Sequence, residues 1–553
     1  MKIMLSPTLW NSKCLVLVLL LIAFGQPVAA RQQLPVIKAT AGTVDIKDGS
    51  VFQKGVWNLS PGIKPDIYYA LEPAREKTIT FYTDIDSVSF DIIPGNTYDF
   101  IILLNGNDTC YTQIATKKPV QTVSLKKIAP GLLQQDFMFF REALQQYHAG
   151  LYRYQSKKVL NRLFDSCMAT LDHPMTPLEF AQTILFAISS IKDGHTGSNI
   201  PRLLMNHYQD HEKMFPARVY FIGEKAYVLC CNYKELPAGS EILSIDDNPV
   251  AEIREKFFHY LPSDGNIETK KQQTLNNGAF PFLYNWLYGN KQFFLIRYKT
   301  RTGVIKTTRP DAALFKDLQC ETEIQPGNPN NLSLEFRSDS IAVLTTRTFD
   351  DNRLVGGQPF RDFLETSFSE IKQRGIQKLI IDLRGNAGGR DDYGALLYSY
   401  LTNKPFNYFA AIESTTHKIS LEENYLLGIQ RPQKNNYTGQ VVFLVNGLSF
   451  STTADFCAIA KSNNRGKFIG EETGGGYYGN TSGQTTTIEL PASKINIIIP
   501  LFRYINNVKQ SVYPDRGIIP DYSVIPSIDD VIMNNDVQLQ FALRIADNPG
   551  RVK

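Results

Sequence analysis

The spacing of apolar positions changes along this chain of 553 residues, and each change predicts a different kind of element. From about residue 36 to 125, "KTITFYTD", "SVSFDIIPG" and "YDFIILLNGNDTCYTQI" alternate or run in β-branched and aromatic residues between Pro-Gly, Asn-Gly and Asn-Asp turn signals, which predicts a small β-sandwich. After Pro130 the period becomes helical, with Leu133, Phe137, Phe140, Leu144 and Tyr147 on one face. A second helix opens at "TPLE", where Thr176 caps, Pro177 fills the first turn and Glu179 reaches back. Its apolar face runs through Phe180, Ile184, Ile188 and Ile191, and Gly194 is placed to end it. His195, in "KDGHTG", then stands on a loop just beyond a rigid element.

Strands return between about 212 and 310, in "ARVYFI", "KAYVLC" and "KQFFLIRYKT". Between them, "LPAGSEILSIDDNPV" resembles the carboxylate-side strand and turn of PDZ-like domains, without a Gly-Leu-Gly-Phe-like loop, so capture of chain ends is not implied. From about 333 to 525 the pattern is different: "SIAVLTTR", "KLIIDLRG", "QVVFLVNG" and "GKFIGEE" are near-continuous apolar runs, and two of them lead into helical patterns. Strands buried on both faces and alternating with helices predict a parallel sheet in an α/β layer, whose exit loops are where sites form. "SIDDVIMNNDVQLQFALRIA" predicts one closing C-terminal helix.

Composition narrows the classes. The chain is 43% hydrophobic and 20% charged with a formal net charge of +4, which points to several globular domains and to neither nucleic acid nor an acidic surface as partner. Lys2 and Lys13 precede the apolar run "CLVLVLLLIAFG", and "PVAA" supplies small residues before Arg31. The run is shorter than the about 20 residues of a membrane-spanning helix, so residues 1–30 read as a cleaved export signal, with no stable membrane insertion after its removal. The cysteines beyond it show no Cys-x-x-Cys or Cys/His spacing, so each reads first as a small buried hydrophobe, with a bridge or two left open outside the cytosol and their pairing open too; no metal or other cofactor is expected.

Two loops carry candidate chemistry. In "NGLSFSTTADF", Ser451 lies where a buried strand hands over to a helix, so first-turn amides point at whatever its hydroxyl attacks; the alternative is an ordinary helix cap. "IDLRGNAGGR" follows another buried strand, and its glycines expose amides suited to a developing oxyanion, or simply make a tight turn; the Lys-Ser/Thr ending of a phosphate loop is missing. A serine hydroxyl needs a base. Of the seven histidines, His195 sits in a defined post-helix loop, whereas His148 and the rest occupy ordinary surface or helix contexts.

Together, "IIDLRGNAGGR", "NGLSFSTTADFCAIAKSNNRGKFIGEETGGG" and "KDGHTG" resemble the serine peptidases of the C-terminal processing and tricorn type, over roughly residues 130 to 545. The resemblance implies a nucleophile at Ser451, one oxyanion donor in the Gly388–Gly389 pair and the other at the Thr452 amide. The position of that family's alternative lysine base is Gly476, so the histidine version is implied, with His195 as general base. Where the tricorn branch has a serine before the histidine, Gly194 stands here. Its orienting carboxylate falls nearest Asp515 in "YPDRGIIPD", with Glu472 in "GEETGGG" as the alternative; either residue otherwise makes turn or salt-bridge contacts.

The expected architecture is multidomain α+β. A signal peptide (1–30) precedes a small all-β, β-sandwich-like domain (31–125), a helical layer (126–211), a PDZ-like insert (212–312) and, as the resemblance implies, a crotonase-like α/β catalytic core with a C-terminal helix (313–553). The expected function is that of an exported serine peptidase, periplasmic, surface-bound or secreted, with a peptide or protein substrate. The alternative is a non-catalytic binding scaffold that keeps the fold. "GGGYYGNTSG" (474–483) reads equally as a loop lying along an extended peptide and as a mobile surface loop.

Overall fold

The computed structural model describes residues 126–208, 212–318, 331–354 and 358–547, together with strand segments between residues 17 and 115. The chain divides into two compact units, Met1–Gln121 and Thr122–Lys553. In the first, the described elements are strands in two sheets. One holds Leu17–Leu21, Lys38–Ala39, Thr97–Leu104 and Asp108–Ala115; the other holds Phe52–Gln53, Tyr68–Leu71, Thr78–Tyr82 and Ser87–Asp91. Apart from Leu17–Leu21, the stretch read as an export signal lies outside the described residues.

The second unit is mixed α/β, and its centre is a six-stranded sheet. In chain order its strands are β1 (Leu332–Phe336), β2 (Ile341–Thr346), β3 (Lys378–Asp382), β4 (Gln440–Val445), β5 (Lys467–Gly470) and β8 (Tyr522–Ser523), and they lie side by side in that same order. β1 is antiparallel to β2, and every later neighbour is parallel. All six residues of β2 are buried, as the unbroken apolar runs require of strands covered on both faces. One face packs on Phe360–Gln373, Asp391–Ser399 and Thr452–Ser462. The other is covered by Val537–Asp547, whose Ala542 and Ala546 meet Ile380, Val442 and Leu444. The predicted closing helix is in fact two, Ile528–Ile532 and Val537–Asp547, because Asn534 takes a left-handed turn (φ 54°) between them.

A second core gathers the helices Pro130–Tyr147, Lys157–Ala169 and Pro177–Ile191 with an antiparallel sheet of Ala217–Ile222, Lys225–Cys231, Glu241–Ile245, Ile296–Lys299 and Ile305–Thr308. Thr176 and Glu179 make the predicted capping box. Lys192, not Gly194, carries the left-handed conformation (φ 62°) that ends this helix. A hairpin of β6 (Thr481–Glu489) and β7 (Asn496–Asn506) joins the two cores: Leu490, Ile495, Ile497 and Ile499 belong to the helical core, and Tyr504 belongs to the sheet core. Cys230 is disulfide-bonded, within the one or two bridges the sequence leaves open, whereas Cys167, Cys231 and Cys457 are free. Among the described residues no helix is long and apolar enough to cross a membrane.

Candidate active site

The C-terminal ends of β3 and β4 lie side by side, so the two loops singled out by sequence meet. Asp382, the last residue of β3, accepts paired hydrogen bonds from Arg347 (2.8 and 2.7 Å) and Arg384 (2.9 and 2.7 Å), and Arg384 extends to Asp536 (2.7 Å). Burial would raise the Asp382 pKa, but the two guanidiniums hold it below the usual carboxylate range. This pins the start of the glycine loop. Farther along, Asn386 accepts from Gly388 N–H (2.9 Å) and from Phe450 N–H through its carbonyl (3.1 Å), tying the glycine loop to the serine turn.

Ser451 ends that turn at φ 57°, ψ −132°, a region that costs a side-chain-bearing residue about 1–3 kcal/mol. Its hydroxyl caps nothing in the helix Thr452–Ser462. Instead, Ser451 Oγ lies 3.0 Å from His195 Nε2. The plain helix-cap alternative is therefore overturned by where the hydroxyl goes. A Cβ at Gly388 would come 2.8 Å from Ser451 Cβ and 2.9 Å from the Phe450 carbonyl, and φ there is +97°, so only glycine fits against the serine. Among the described residues the amides of Gly389 and Thr452 have no hydrogen-bond acceptor, whereas that of Gly388 is taken by Asn386.

His195 is fixed by a different kind of contact. Its ring stacks on Phe450 (centroids 4.4 Å apart, 26° between planes), and its backbone N–H donates to Asp193 Oδ1 at 3.2 Å. The other Asp193 oxygen accepts from Thr196 Oγ1 (2.7 Å) and from His148 Nε2 (2.8 Å). Gly150 N–H donates to His148 Nδ1 (3.1 Å), so the ring hydrogen of His148 sits on Nε2, facing Asp193. Burial would raise the Asp193 pKa; the hydrogen bond from His148 opposes it, and the carboxyl is held well below its ordinary value. The His195 pKa is lowered to about 4, chiefly by burial, with Asp193 opposing and Lys270 and Arg153 reinforcing the shift. At neutral pH the ring is thus a free base, and its Nδ1 is buried with no hydrogen-bond partner among the described residues.

One ring nitrogen of His195 and one oxygen each of Asp193 and Asp264 lie within 4.8 Å of one another. Asp264 accepts from Gly194 N–H (2.7 Å) and Gly476 N–H (3.2 Å), and burial together with the Asp193 charge pushes its pKa up to about 6, with Lys270 opposing. This grouping has the spacing of a cation site, but a cation is already beside it: Lys270 Nζ, 2.9 Å from the Gly194 carbonyl.

The two carboxylates named from sequence lie elsewhere. Glu472 accepts from Arg516 (2.8 and 2.6 Å) and Gly517 N–H (2.8 Å), and Asp515 accepts from Asn266 Nδ2. No contact joins either to His195 among the described residues. Gly476 has Tyr154 Oη 2.7 Å from where a Cβ would stand, so the lysine position is blocked. The segment 474–477 is buried, with Gly475 packed on Ala454 and the Ser451 amide, and is not a surface loop. Sequence reasoning missed Asp193, Asp264, Lys270 and the buried His148. The only signals were Asp193 within "KDGHTG" and His148 followed by Gly150.

Residues 340–524 match the family model described as peptidase family S41. No curated protein matches the chain in sequence. Among solved structures, the fold is similar to mature CPAF complexed with lactacystin (TM-score 0.55, 13% identity, over 75% of this chain and 97% of that one). It is equally similar to mature CPAF without that compound (TM-score 0.55, 13% identity, over 76% and 99%). At such identity the likeness is one of fold.

Proposed function

We propose that this serine peptidase of the family S41 type cleaves peptide bonds through an acyl-enzyme on Ser451, with His195 as general base. The observation that carries the reading is the 3.0 Å approach of His195 Nε2 to Ser451 Oγ, on a serine held in a strained turn at a helix start. Ser451 Oγ attacks the scissile carbonyl carbon while its proton passes to Nε2. The carbonyl oxygen becomes negative and is received by the amides of Thr452 and of the glycine pair, through Gly389. Collapse breaks the C–N bond, and Nε2 returns the proton to the leaving amine. Water, deprotonated by the same nitrogen, then releases the acid product and restores the hydroxyl.

The helical layer with the six-stranded core is read as crotonase-like, residues 212–312 as a PDZ-like insert and 31–125 as an all-β module. Export is supported by the N-terminal charge and apolar pattern and by the disulfide at Cys230, a bond typical of oxidising compartments.

Hydrolysis of denatured casein by the wild type and by Ser451→Ala tests this, together with covalent labelling by a fluorophosphonate. Wild-type cleavage, labelling at Ser451 and a loss on the order of 10⁶-fold in kcat for the alanine variant are expected. Cleavage that survives Ser451→Ala sinks the assignment.

A further inference from the structure

The residue before His195 is gripped at both of its polar atoms. Gly194 N–H donates to Asp264 Oδ1 (2.7 Å), and the Gly194 carbonyl accepts from Lys270 Nζ (2.9 Å). Both side chains come from one short stretch that leads into the helix Thr269–Thr274. The same stretch is tied to the end of the histidine-bearing helix by Gly265 N–H to the Lys192 carbonyl (2.9 Å) and by Lys192 Nζ to Asn266 Oδ1 (2.5 Å). Thr269 Oγ1 donates to the Glu472 carbonyl (3.0 Å) and Gln273 Nε2 to Glu471 Oε2 (2.7 Å), which anchors the stretch on the serine side as well.

Lys270 has a second contact. Its ammonium stands 3.4 Å from the centroid of Phe450, the ring that stacks on the His195 imidazole. The space it fills is the space a side chain at 194 would need: a Cβ there would lie 2.7 Å from Lys270 Nζ and 2.8 and 2.9 Å from Phe450 ring carbons. Glycine at 194 and lysine at 270 are thus two halves of one packing solution. Burial lowers the Lys270 pKa to about 8, with the Asp264 and Asp193 carboxylates opposing, so the group is still mostly charged at neutral pH.

We propose that Lys270, with Asp264, is a positioning residue for the general base: it fixes His195 through the Gly194 carbonyl and the Phe450 ring, and sets a positive charge beside the imidazole. The inference rests on the assignment of Ser451 and His195 given above. The carboxylates of Asp193 and Asp264 favour the imidazolium that forms during proton transfer, and the ammonium disfavours it. Burial, reinforced by this ammonium and by Arg153, keeps the ring a base before substrate arrives, and the carboxylates still let it accept the serine proton.

The test uses the full chain and reads the rate of fluorophosphonate labelling at Ser451 against pH, beside casein hydrolysis, for Lys270→Met, Lys270→Gln, Lys270→Arg and a His195→Ala reference. Labelling of the wild type at Ser451 is read first. Its failure overturns the nucleophile assignment and is distinct from any result at residue 270. Lys270→Met is expected to slow labelling about 100-fold through misplacement of the base. Its acid limb should move up by about one pH unit, because a cation that lowered the His195 pKa is gone. Lys270→Gln, which keeps a donor to the Gly194 carbonyl and drops the charge, should show the same shift with a smaller loss of rate, and serves if the methionine variant does not fold. Lys270→Arg should keep the limb in place. An unmoved acid limb in both uncharged variants overturns the proposal. So does a loss as complete as that of His195→Ala in all three variants, since that makes Lys270 itself the base.

Discussion

The two sides of the site are built by different physics. On the serine side, parallel strands end together, glycines let backbones approach, and the strained Ser451 turn is held by backbone and amide contacts between neighbouring loops. On the histidine side, a loop beyond a helix is held by its own Asp193 and by buried side chains brought from distant stretches: His148, Asp264 and Lys270. One side follows from sheet topology over a buried ion network, the other from side chains gathered around a single ring. The difference teaches that the serine is aimed by backbone shape above the Asp382 ion network, and the base by charged groups packed directly around it, which acid and charge-changing substitutions disturb.

The largest effect should come from removing the ion network under the serine side. Asp382→Ala leaves Arg347 and Arg384 without their buried partner and should lower stability by about 3–5 kcal/mol in denaturant unfolding, with activity lost in proportion to unfolded protein. The sign with pH follows: the folded Asp382 pKa is depressed, so its contribution is full above the unfolded value near about 4 and is lost as pH falls through the folded one.

Glycine replacements separate the two sides next. Gly388→Ala forces a Cβ against the Ser451 Cβ and the Phe450 carbonyl in a positive-φ position, with backbone that has little room to move. Gly194→Ala meets the far end of a flexible lysine first. The measured kcat should therefore fall further in Gly388→Ala, with the Gly194→Ala loss on the order of tenfold to 100-fold.

A subtler prediction concerns acid. The acid limb of kcat/KM should fall near pH 4, not near the ordinary imidazole value of about 6.5, because burial depresses the His195 pKa. The stability this ring contributes is present above the unfolded value and drains away as pH falls toward about 4, the unfolded state binding the proton first. A limb near 6.5 would show that the charge balance around His195 is not the one described. The smallest effect is expected at Asp515→Asn. Its half-buried carboxylate bonds Asn266 outside the His195 grouping, and the change should cost about 0–1 kcal/mol in stability and leave the acid limb in place.

What sequence made legible follows the same divide. The apolar runs at 341, 378, 440 and 467 predict buried parallel strands, and the loops leaving two of them hold Ser451 and the glycine pair, because strand burial and strand-to-helix turns are local properties. His195 was legible through its short motif. Its supports were not: "SDGN" around Asp264 has the pattern of a turn, "TKKQQT" around Lys270 that of a solvated helix face, and Gly194 that of a helix stop. Each acquires its role only when stretches about seventy positions apart are folded together, and no local period records that. Motif spacing likewise points to the C-terminal stretch for an orienting carboxylate, since it locates a residue along the chain and does not report contacts made across layers.

The β6–β7 hairpin, which places Leu490, Ile495, Ile497 and Ile499 in one core and Tyr504 in the other, makes the second unit hard to dissect. A fragment beginning at residue 331 would carry four aliphatic side chains into water, at about 1.5–3 kcal/mol for each large one exposed. The two cores should therefore melt as one transition, and any shortened version of this chain must keep its helices to stay soluble.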